Sequence, residues 1–230
     1  MRDSAVPSVI NEAFIAGSVT REQVDLLLSE GWRHFGTYFF RYNFGMHDDS
    51  VVRVLPLRIR LSQYRPTRSQ RRVLRINSDL AVKIRPIRIT EASNALFERH
   101  KTRFASGTPE SIYTFLSAEP ATVPCDGSEI AVYDGRRLVA VSYFDEGAEA
   151  TSGVYACFEP AESKRGLGIF TMLKEIEYSI DTGREFYYPG FAYEESSFYD
   201  YKKTFNGLER YDWNGNWLEL ERLRPVNISS

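Results

Sequence analysis

The alternation of apolar and polar positions predicts one capped helix and two strands in the first quarter of the chain. Thr20 and Gln23 have the spacing of a capping box, which predicts a helix over residues 21–30. Tyr38–Phe44 is rich in aromatic residues, and Val51–Leu61 alternates apolar residues with arginine. Both patterns are typical of β-strands.

A second capping box predicts a helix with an uneven charge distribution. Thr67 and Gln70 have the spacing of the box, and a helix of about a dozen residues should follow. Four arginines recur at positions i, i+3, i+4 and i+7, which share one face of a helix. They are Arg68, Arg71, Arg72 and Arg75. Four like charges on one face repel each other, so this face indicates a bound anion.

The C-terminal half alternates predicted helices and strands. Two helices are expected over residues 91–104 and 108–116, the second with Thr108 as its N-cap and Pro109 at its first position. The elements that follow are a hairpin of Glu129–Tyr133 and Arg137–Phe144, a strand Thr151–Phe158, a glycine turn Arg165–Gly168, an amphipathic helix and a strand Glu185–Tyr188. This order is that of the Gcn5-related N-acyltransferase fold.

The same pattern suggests how the chain is divided. Pro86 and the turn into Thr90 mark a boundary, while no Ser/Gly-rich linker or internal repeat is present. We therefore predict an α+β protein with two domains packed together. A small basic N-terminal domain, residues 1–89, would pack on an acyltransferase-like domain, residues 90–230.

Basic residues are concentrated in one segment of a chain that is nearly neutral overall. The 230 residues carry a net charge of −2, with 43% hydrophobic and 26% charged residues, as in ordinary globular domains. Residues 53–88 contain eleven basic residues, ten of them arginine, and a single acid, Asp79. Arginine suits bidentate contacts with phosphate. The segment indicates either a surface that binds nucleic acid or a solvated face whose arginines pair with acids elsewhere.

Other classes of protein are disfavoured. The longest apolar runs, such as Leu138–Val141, have four or five residues, whereas a membrane span needs about 20. Residues 1–11 contain no apolar signal core. Cys125 and Cys157 form neither a disulfide framework nor a zinc pattern. We expect a cytoplasmic protein with no membrane partner.

The glycine turn at Lys164–Gly168 is a candidate phosphate site. Glycine lets the backbone approach a ligand and direct its N–H groups at phosphate. In acetyltransferases a turn of this kind holds the pyrophosphate of coenzyme A. A single Gly-x-Gly also occurs in ordinary tight turns, so both interpretations stay open.

Several segments together resemble the arginyl-tRNA and leucyl-tRNA protein transferases, which add an amino acid from charged tRNA to a protein N-terminus. The resemblance runs from about Val24 to Trp217, and Tyr64–Arg75 is similar to the bacterial form of the family. Other matching segments are Gly31–Arg41, Pro56–Ile59, Ser152–Tyr155, Phe158–Pro160, Arg165–Gly168, Tyr188–Phe191 and Tyr201–Lys202. The resemblance implies an enzyme of the N-degron pathway, with aminoacyl-tRNA as co-substrate and no other cofactor.

One departure from the family concerns metal binding. Family members usually carry paired cysteines near the N-terminus and after the aromatic strand, at the place of a metal or iron–sulfur centre. The matching segment here, Arg41–Asp49, contains no cysteine. His47, Asp48 and Asp49 are adjacent in one loop and make a poor tetrahedral set. We therefore predict no metal there.

The resemblance also implies roles for individual residues. For catalysis it suggests Glu159 as proton acceptor, Lys202 as a donor to the oxyanion or a phosphate, and Tyr155 as a contact to the aminoacyl group or a base. The residues expected to bind tRNA are Arg68, Gln70, Arg71, Arg72, Arg75, Arg165, Gly166 and Gly168.

The identity of the two substrates stays open in the sequence. Tyr188 and Tyr193 are expected in the aminoacyl pocket, which should be apolar for a leucine donor and acidic for an arginine donor. Glu194–Glu195 mildly favours arginine. If the acceptor has an acidic N-terminal residue, Arg41 or Arg53 would bind it. A coenzyme A-dependent acyltransferase and a non-catalytic tRNA-binding relative are the alternatives.

Overall fold

The structure, a computed structural model, describes residues 9–104 and 107–221. Residues 1–8, which contain most of the segment searched for a signal core, lie outside this part. Within the described ranges, no helix is both long enough and apolar enough to cross a membrane. The described chain combines helices with two β-sheets, which confirms the predicted α+β class.

The N-terminal part is a small antiparallel sheet with one helix. Thr20 accepts a hydrogen bond from the backbone of Gln23, and the Gln23 side chain reaches back to Thr20, so the predicted capping box is confirmed. The helix packs Val24 and Leu28 against the main sheet. The elements are β1 at Asn11–Ile15, α1 at Arg21–Ser29, β2 at Arg33–Phe35 and β3 at Tyr38–Tyr42.

The remaining strands form one large sheet in the order β12-β11-β5-β10-β9-β8-β7-β6, with β4 paired to β5. All its pairs are antiparallel except β9 with β10. The strands are β4 Phe44–His47, β5 Ser50–Arg60, β6 Ala81–Pro86, β7 Gly127–Asp134, β8 Arg137–Glu146, β9 Ala150–Phe158, β10 Phe186–Tyr193, β11 Leu208–Tyr211 and β12 Trp217–Glu219.

Helices cover both faces of this sheet. Ala131 packs in the cluster that contains Leu96 of the helix α3, Glu91–Lys101. Its neighbour Ile130 packs in the cluster that contains Phe170 of the helix α4, Leu167–Asp181. Successive residues of a strand point to opposite faces, so α3 and α4 lie on opposite sides. The helix α2, Arg68–Ile76, packs beside α4.

One expectation from the sequence requires correction. The helix expected over residues 108–116 is only a short 3₁₀ turn, Ile112–Thr114, because the backbone of Ser111 is extended and its side chain caps the turn by accepting from the backbone N–H of Tyr113. The division into residues 1–89 and 90–230 stays a prediction, and the main sheet takes strands from both sides of it. Strands β5 and β6 precede residue 90 and pair with strands that follow it.

Candidate active site

The main sheet opens between its two parallel strands. β9 and β10 pair only from Ala150 to Ser152 on one side and from Phe186 to Tyr188 on the other, and then separate. Gly153 and Gly190 lie just past this point. Gly190 has φ +94°, a conformation that favours glycine, and a Cβ on Gly153 would lie 2.8 Å from the Tyr187 hydroxyl. We call the opening between the diverging strands the split.

Two cationic side chains reach the split. The guanidinium of Arg33 in β2 donates hydrogen bonds to the Ser152 hydroxyl and the Gly153 carbonyl. Lys202 comes from a helical turn at Phe198–Thr204, and its Nζ donates to the Phe191 carbonyl at 2.9 Å. A Cβ on Gly190 would lie 3.2 Å from the Lys202 Nζ and 3.7 Å from an Arg33 nitrogen. The two cations therefore meet at the same glycine.

Burial changes the ionisation of both cations. It lowers the pKa of Lys202 to about 7, and the nearby charge of Arg33 lowers that pKa as well. Burial also lowers the pKa of Arg33, against the opposing effect of the Asp145 carboxylate. Lys202 therefore exchanges its proton close to neutral pH.

A buried acid lies on the α4 side of the split. Glu175 accepts a hydrogen bond of 2.6 Å from the Tyr187 hydroxyl, in space that a side chain on Gly153 would fill. Burial raises the pKa of Glu175 to about 7. Sequence reasoning missed this acid. Thr171, Glu175 and Ser179 form a polar line at i, i+4 and i+8, and the other buried residues of α4 are all apolar, which is a signal that could have found it.

Aromatic side chains connect the two edges of the split on the face opposite α4. Each ring contacts the next, with centroids 4.0, 5.1, 5.2 and 6.2 Å apart. None of the five rings is fully buried. We call this group the aromatic arc; its members, in order from β9 to β10, are Tyr155, Phe115, Phe35, Phe40 and Phe191.

The four arginines of α2 share an exposed face, as their spacing predicts, and none is ion-paired within the described residues. The glycine turn abuts this helix, because Asn77 donates a hydrogen bond of 2.9 Å to the Arg165 carbonyl. Gly166 adopts φ +64° and precedes α4, whose first turn has free N–H groups. We call the four arginines the arginine face; the glycine turn lies at the C-terminal end of the same helix.

Three of the residues expected to bind tRNA have structural roles here. Gln70 is 3% exposed, because its side chain completes the capping box with Thr67. Arg165 forms two hydrogen bonds of 2.9 Å with Asp79. A Cβ on Gly168 would lie 2.9 Å from the ring of Phe158, so this glycine permits close packing of the turn.

The residues expected in catalysis are not all together. Tyr155 belongs to the aromatic arc and Lys202 lies in the split. Glu159 instead accepts a hydrogen bond of 2.8 Å from Arg99 at the far end of β9. Glu159 is six positions after Gly153 along an extended strand, which corresponds to about 20 Å.

The tyrosines expected in the aminoacyl pocket lie outside the arc. Tyr188 is 4% exposed and packs edge-on against Trp217, with ring centroids 5.6 Å apart. Tyr193 packs against His47 and Tyr199 at 5.3 and 5.6 Å. Both residues belong to β10, and neither ring is one of the five rings of the aromatic arc.

The arginines expected to bind the acceptor are engaged elsewhere. Arg41 donates to Glu12 at 2.7 Å and lies over the Trp32 ring. Arg53 is 3.9 Å from Glu194. Arg33, which the sequence pattern did not single out, occupies the split instead.

A split parallel strand pair, a glycine turn at a helix N-terminus and an adjoining arginine face are features that suit an acyltransferase with a nucleic-acid-linked donor. The chain belongs to the arginine-tRNA-protein transferase family: the family's N-terminal model matches residues 4–72 and its C-terminal model matches residues 93–212. The predicted membership and the predicted aminoacyl-tRNA–protein transferase activity are thereby confirmed.

Similar curated proteins are bacterial. An aspartate/glutamate leucyltransferase of Stenotrophomonas maltophilia (strain K279a) is 32% identical over 195 residues, covering 81% of this chain and 76% of the relative. Another, of Pseudomonas fluorescens (strain SBW25), is 32% identical over 197 residues, covering 84% and 81%.

Solved structures with partial likeness include L-PGS from Bacillus licheniformis, with TM-score 0.47 and 11% identity, covering 81% of this chain and 55% of that one. A GCN5-related N-acetyltransferase from Kribbella flavida has TM-score 0.38 and 15% identity, covering 60% and 48%. Likeness at this level carries no inference about activity.

The family's cysteine-bound centre does not fit this chain. Arg41–Asp49 offers no thiolate, and within it the His47 ring lies 3.6 Å from Asp48.

One group in the described residues brings three potential metal ligands within 4.8 Å: His34, Cys125 and Asp145. Both ring nitrogens of His34 face oxygen acceptors, Asp145 at 2.9 Å and the Gly36 carbonyl at 2.8 Å. Burial by itself lowers the pKa of His34, but these two acceptors outweigh it and the net pKa is raised. The ring therefore donates from both nitrogens, and its hydrogen bond to Asp145 connects β2 to β8.

Proposed function

We propose that this enzyme transfers leucine from leucyl-tRNA to the α-amine of proteins that begin with aspartate or glutamate. The observation that carries the choice of leucine is the aromatic arc at the split. Its surface is apolar and suits a branched aliphatic side chain. The curated relatives named as aspartate/glutamate leucyltransferases support the same pair of substrates.

An arginine donor is less well supported. It would need an acid beside the aminoacyl group, and the sequence offered Glu194–Glu195 for this role. Both residues are exposed, and their backbone carbonyls accept hydrogen bonds from Lys203. The Glu194 carboxylate lies beside Arg53 rather than beside the arc.

The arginine face is our proposed contact for the tRNA backbone. Its guanidinium groups are exposed and lack carboxylate partners in the described residues, so phosphate groups can take those positions. The N-terminus of α4 adds free backbone N–H groups next to this surface, which suits a further phosphate. Within this proposal the 3′ end of the tRNA passes from the arginine face to the split.

The proposed reaction is aminolysis of an ester. The acceptor's neutral α-amine attacks the ester carbonyl carbon, a C–N bond forms, and the C–O bond to the tRNA ribose breaks. Because the pKa of such an amine is about 7.7–8.0, a useful fraction is neutral near pH 7. The proton lost by the attacking nitrogen must finally reach the leaving ribose oxygen.

Glu175 is our candidate for holding that proton, with Tyr187 as the group that connects it to the split. Its pKa near 7 suits an acid and base that works at neutral pH. Glu159, the acceptor expected from the sequence, lies about 20 Å along β9 from Gly153 and is bound to Arg99.

The test uses radiolabelled Leu-tRNA and Arg-tRNA in parallel, with peptides that begin with Asp, Glu, Lys or Arg. We expect label from Leu-tRNA on the Asp and Glu peptides. Faster transfer from Arg-tRNA would overturn the donor assignment, and transfer to the Lys or Arg peptides would overturn the acceptor assignment. Binding of tRNA without any transfer would support a non-catalytic tRNA-binding protein. Saturable binding of coenzyme A without tRNA binding would support a coenzyme A-dependent acyltransferase.

A further inference from the structure

Lys202 is a buried cation and Arg33 a partly buried one, and neither is paired with an anion in the described residues. No carboxylate lies within ion-pairing distance of either in the described residues. Their hydrogen-bond acceptors are the Ser152 hydroxyl and two backbone carbonyls. An unpaired charge in a protein interior is costly, and two like charges near one another add to that cost.

Other buried cations of this fold are paired. Arg58 donates to Glu209 at 2.5 Å, and Lys203, the residue next to Lys202, lies 2.9 Å from Asp200. Arg33 and Lys202 in the split differ from these residues because they have no carboxylate partner in the described part of the chain.

The acids nearest to the two cations are already engaged. Asp145 accepts from the protonated His34 ring at 2.9 Å. Glu175 accepts from Tyr187 at 2.6 Å and has its pKa raised to about 7, so it is largely protonated in mildly acidic solution. The excess positive charge of the split is left for a group from outside the chain.

The two cations converge beside Gly190. At Gly190 an added Cβ would lie 3.2 Å from the Lys202 Nζ and 3.7 Å from an Arg33 nitrogen, so a glycine here lets both donors approach the same point. A bulky phosphodiester of the tRNA has the exposed arginine face available. A carboxylate on one or two methylene groups can reach a buried site of this kind.

We propose that Arg33 and Lys202 together bind the side-chain carboxylate of the acceptor's N-terminal residue, an inference that rests on the proposed function. The pair thereby determines the preference for aspartate and glutamate. This assignment replaces Arg41 and Arg53, which pair with Glu12 and Glu194. The aromatic arc, on the same opening, is left for the leucyl side chain.

The experiment measures binding separately from transfer. The probes are two fluorescently labelled peptides that differ only in their first residue, Asp or its neutral isostere Asn, and affinity is followed by fluorescence anisotropy. The wild-type enzyme should prefer the Asp peptide by about 30-fold, as expected for a buried, hydrogen-bonded charge pair. Lys202→Met should reduce that preference to less than about threefold.

The matched control is Lys203→Gln, which alters the adjacent buried lysine but not the split. It should keep the wild-type preference. Arg33→Gln is the second variant, because it removes the other cation, and Arg33→Lys should restore part of the preference. Thermal melts of each variant confirm that it is folded.

The outcomes separate this inference from the proposed function. If leucine is transferred but Lys202→Met and Arg33→Gln keep the 30-fold preference, the inference is wrong and the function stands. If both variants slow transfer to Asp and Asn peptides equally and keep the binding preference, the pair stabilises the oxyanion and the inference is also wrong. If no leucine is transferred but binding prefers Asp only while both cations are present, the inference stands and the function is wrong. Equal wild-type binding of the two peptides overturns the inference.

Discussion

Replacing Lys202 by methionine should make the free enzyme more stable below neutral pH. The pKa of Lys202 falls from 10.5 to about 7 in the folded chain, which corresponds to a cost of about 5 kcal/mol for keeping the charged amine buried. Methionine has similar length and no charge. It loses the hydrogen bond to the Phe191 carbonyl, which costs about 1–3 kcal/mol. The net gain at pH 6 is about 2–4 kcal/mol.

The gain should disappear as the pH rises. Between pH 7 and 10.5 the unfolded lysine binds a proton that the folded lysine has lost, so wild-type stability increases with pH in this window by at most about 1.4 kcal/mol per pH unit. The variant lacks this contribution. Glu175 has the opposite dependence, since its raised pKa removes stability between about pH 4.5 and 7. Both proteins contain it, so it cancels in the difference.

Urea unfolding at pH 6, 7, 8, 9 and 10, followed by tryptophan fluorescence, measures the difference between Lys202→Met and the wild type. The curves should converge toward pH 10. The reasoning is refuted if the variant is no more stable than the wild type at pH 6, or if the difference is the same at pH 7 and pH 10. Lys203→Gln, which breaks the contact with Asp200, should be destabilised at every pH.

Three further changes test other parts of the molecule. Arg72→Ala should weaken tRNA binding and reduce the slope of log affinity against log salt by about 1, whereas Arg137→Ala, at an arginine paired with acids, should not. Phe115→Ala opens the aromatic arc and should lower kcat/KM for leucyl transfer about tenfold while tRNA affinity in a filter-binding assay stays unchanged. Gly153→Ala places a Cβ 2.8 Å from the buried Tyr187 hydroxyl and should lower the free energy of unfolding in urea by about 1–3 kcal/mol. Gly17→Ala, with nothing within 4 Å of the added Cβ, should lower it by less than about 1 kcal/mol, and equal losses would contradict the close approach at Gly153.

Local chemistry made much of the fold predictable. The capping boxes at Thr20 and Thr67 each join residues three positions apart. Such residues are close in space whatever the rest of the fold, so the sequence pattern is enough to predict the contact. The hairpin of β7 and β8 is local in the same way. The helix expected over residues 108–116 was wrong because Ser111 is extended and caps a turn of only three residues, a second cap that competes with the one expected at Thr108.

The candidate site was less predictable because its charges become unusual only after folding. Arg33, Glu175 and Lys202 are ordinary polar residues in the sequence. Arg33 meets Ser152 and Gly153 only when the small sheet packs on the large one, about 120 residues away in sequence. The arginine face was visible because its four members lie on one helix.

The central position of β5 determines when this fold can be completed. Residues 54–60 pair with β10 on one side, and Leu57–Ile59 pair with β11 on the other. Arg58 and its partner Glu209 are 151 positions apart. During synthesis β5 therefore leaves the ribosome long before β10 and β11 have been made. Until then the backbone groups along both edges of residues 57–59 lack their strand partners. Pairings this distant give a high contact order and slow folding, so we expect a nascent enzyme that depends on protection from aggregation until β11 has emerged.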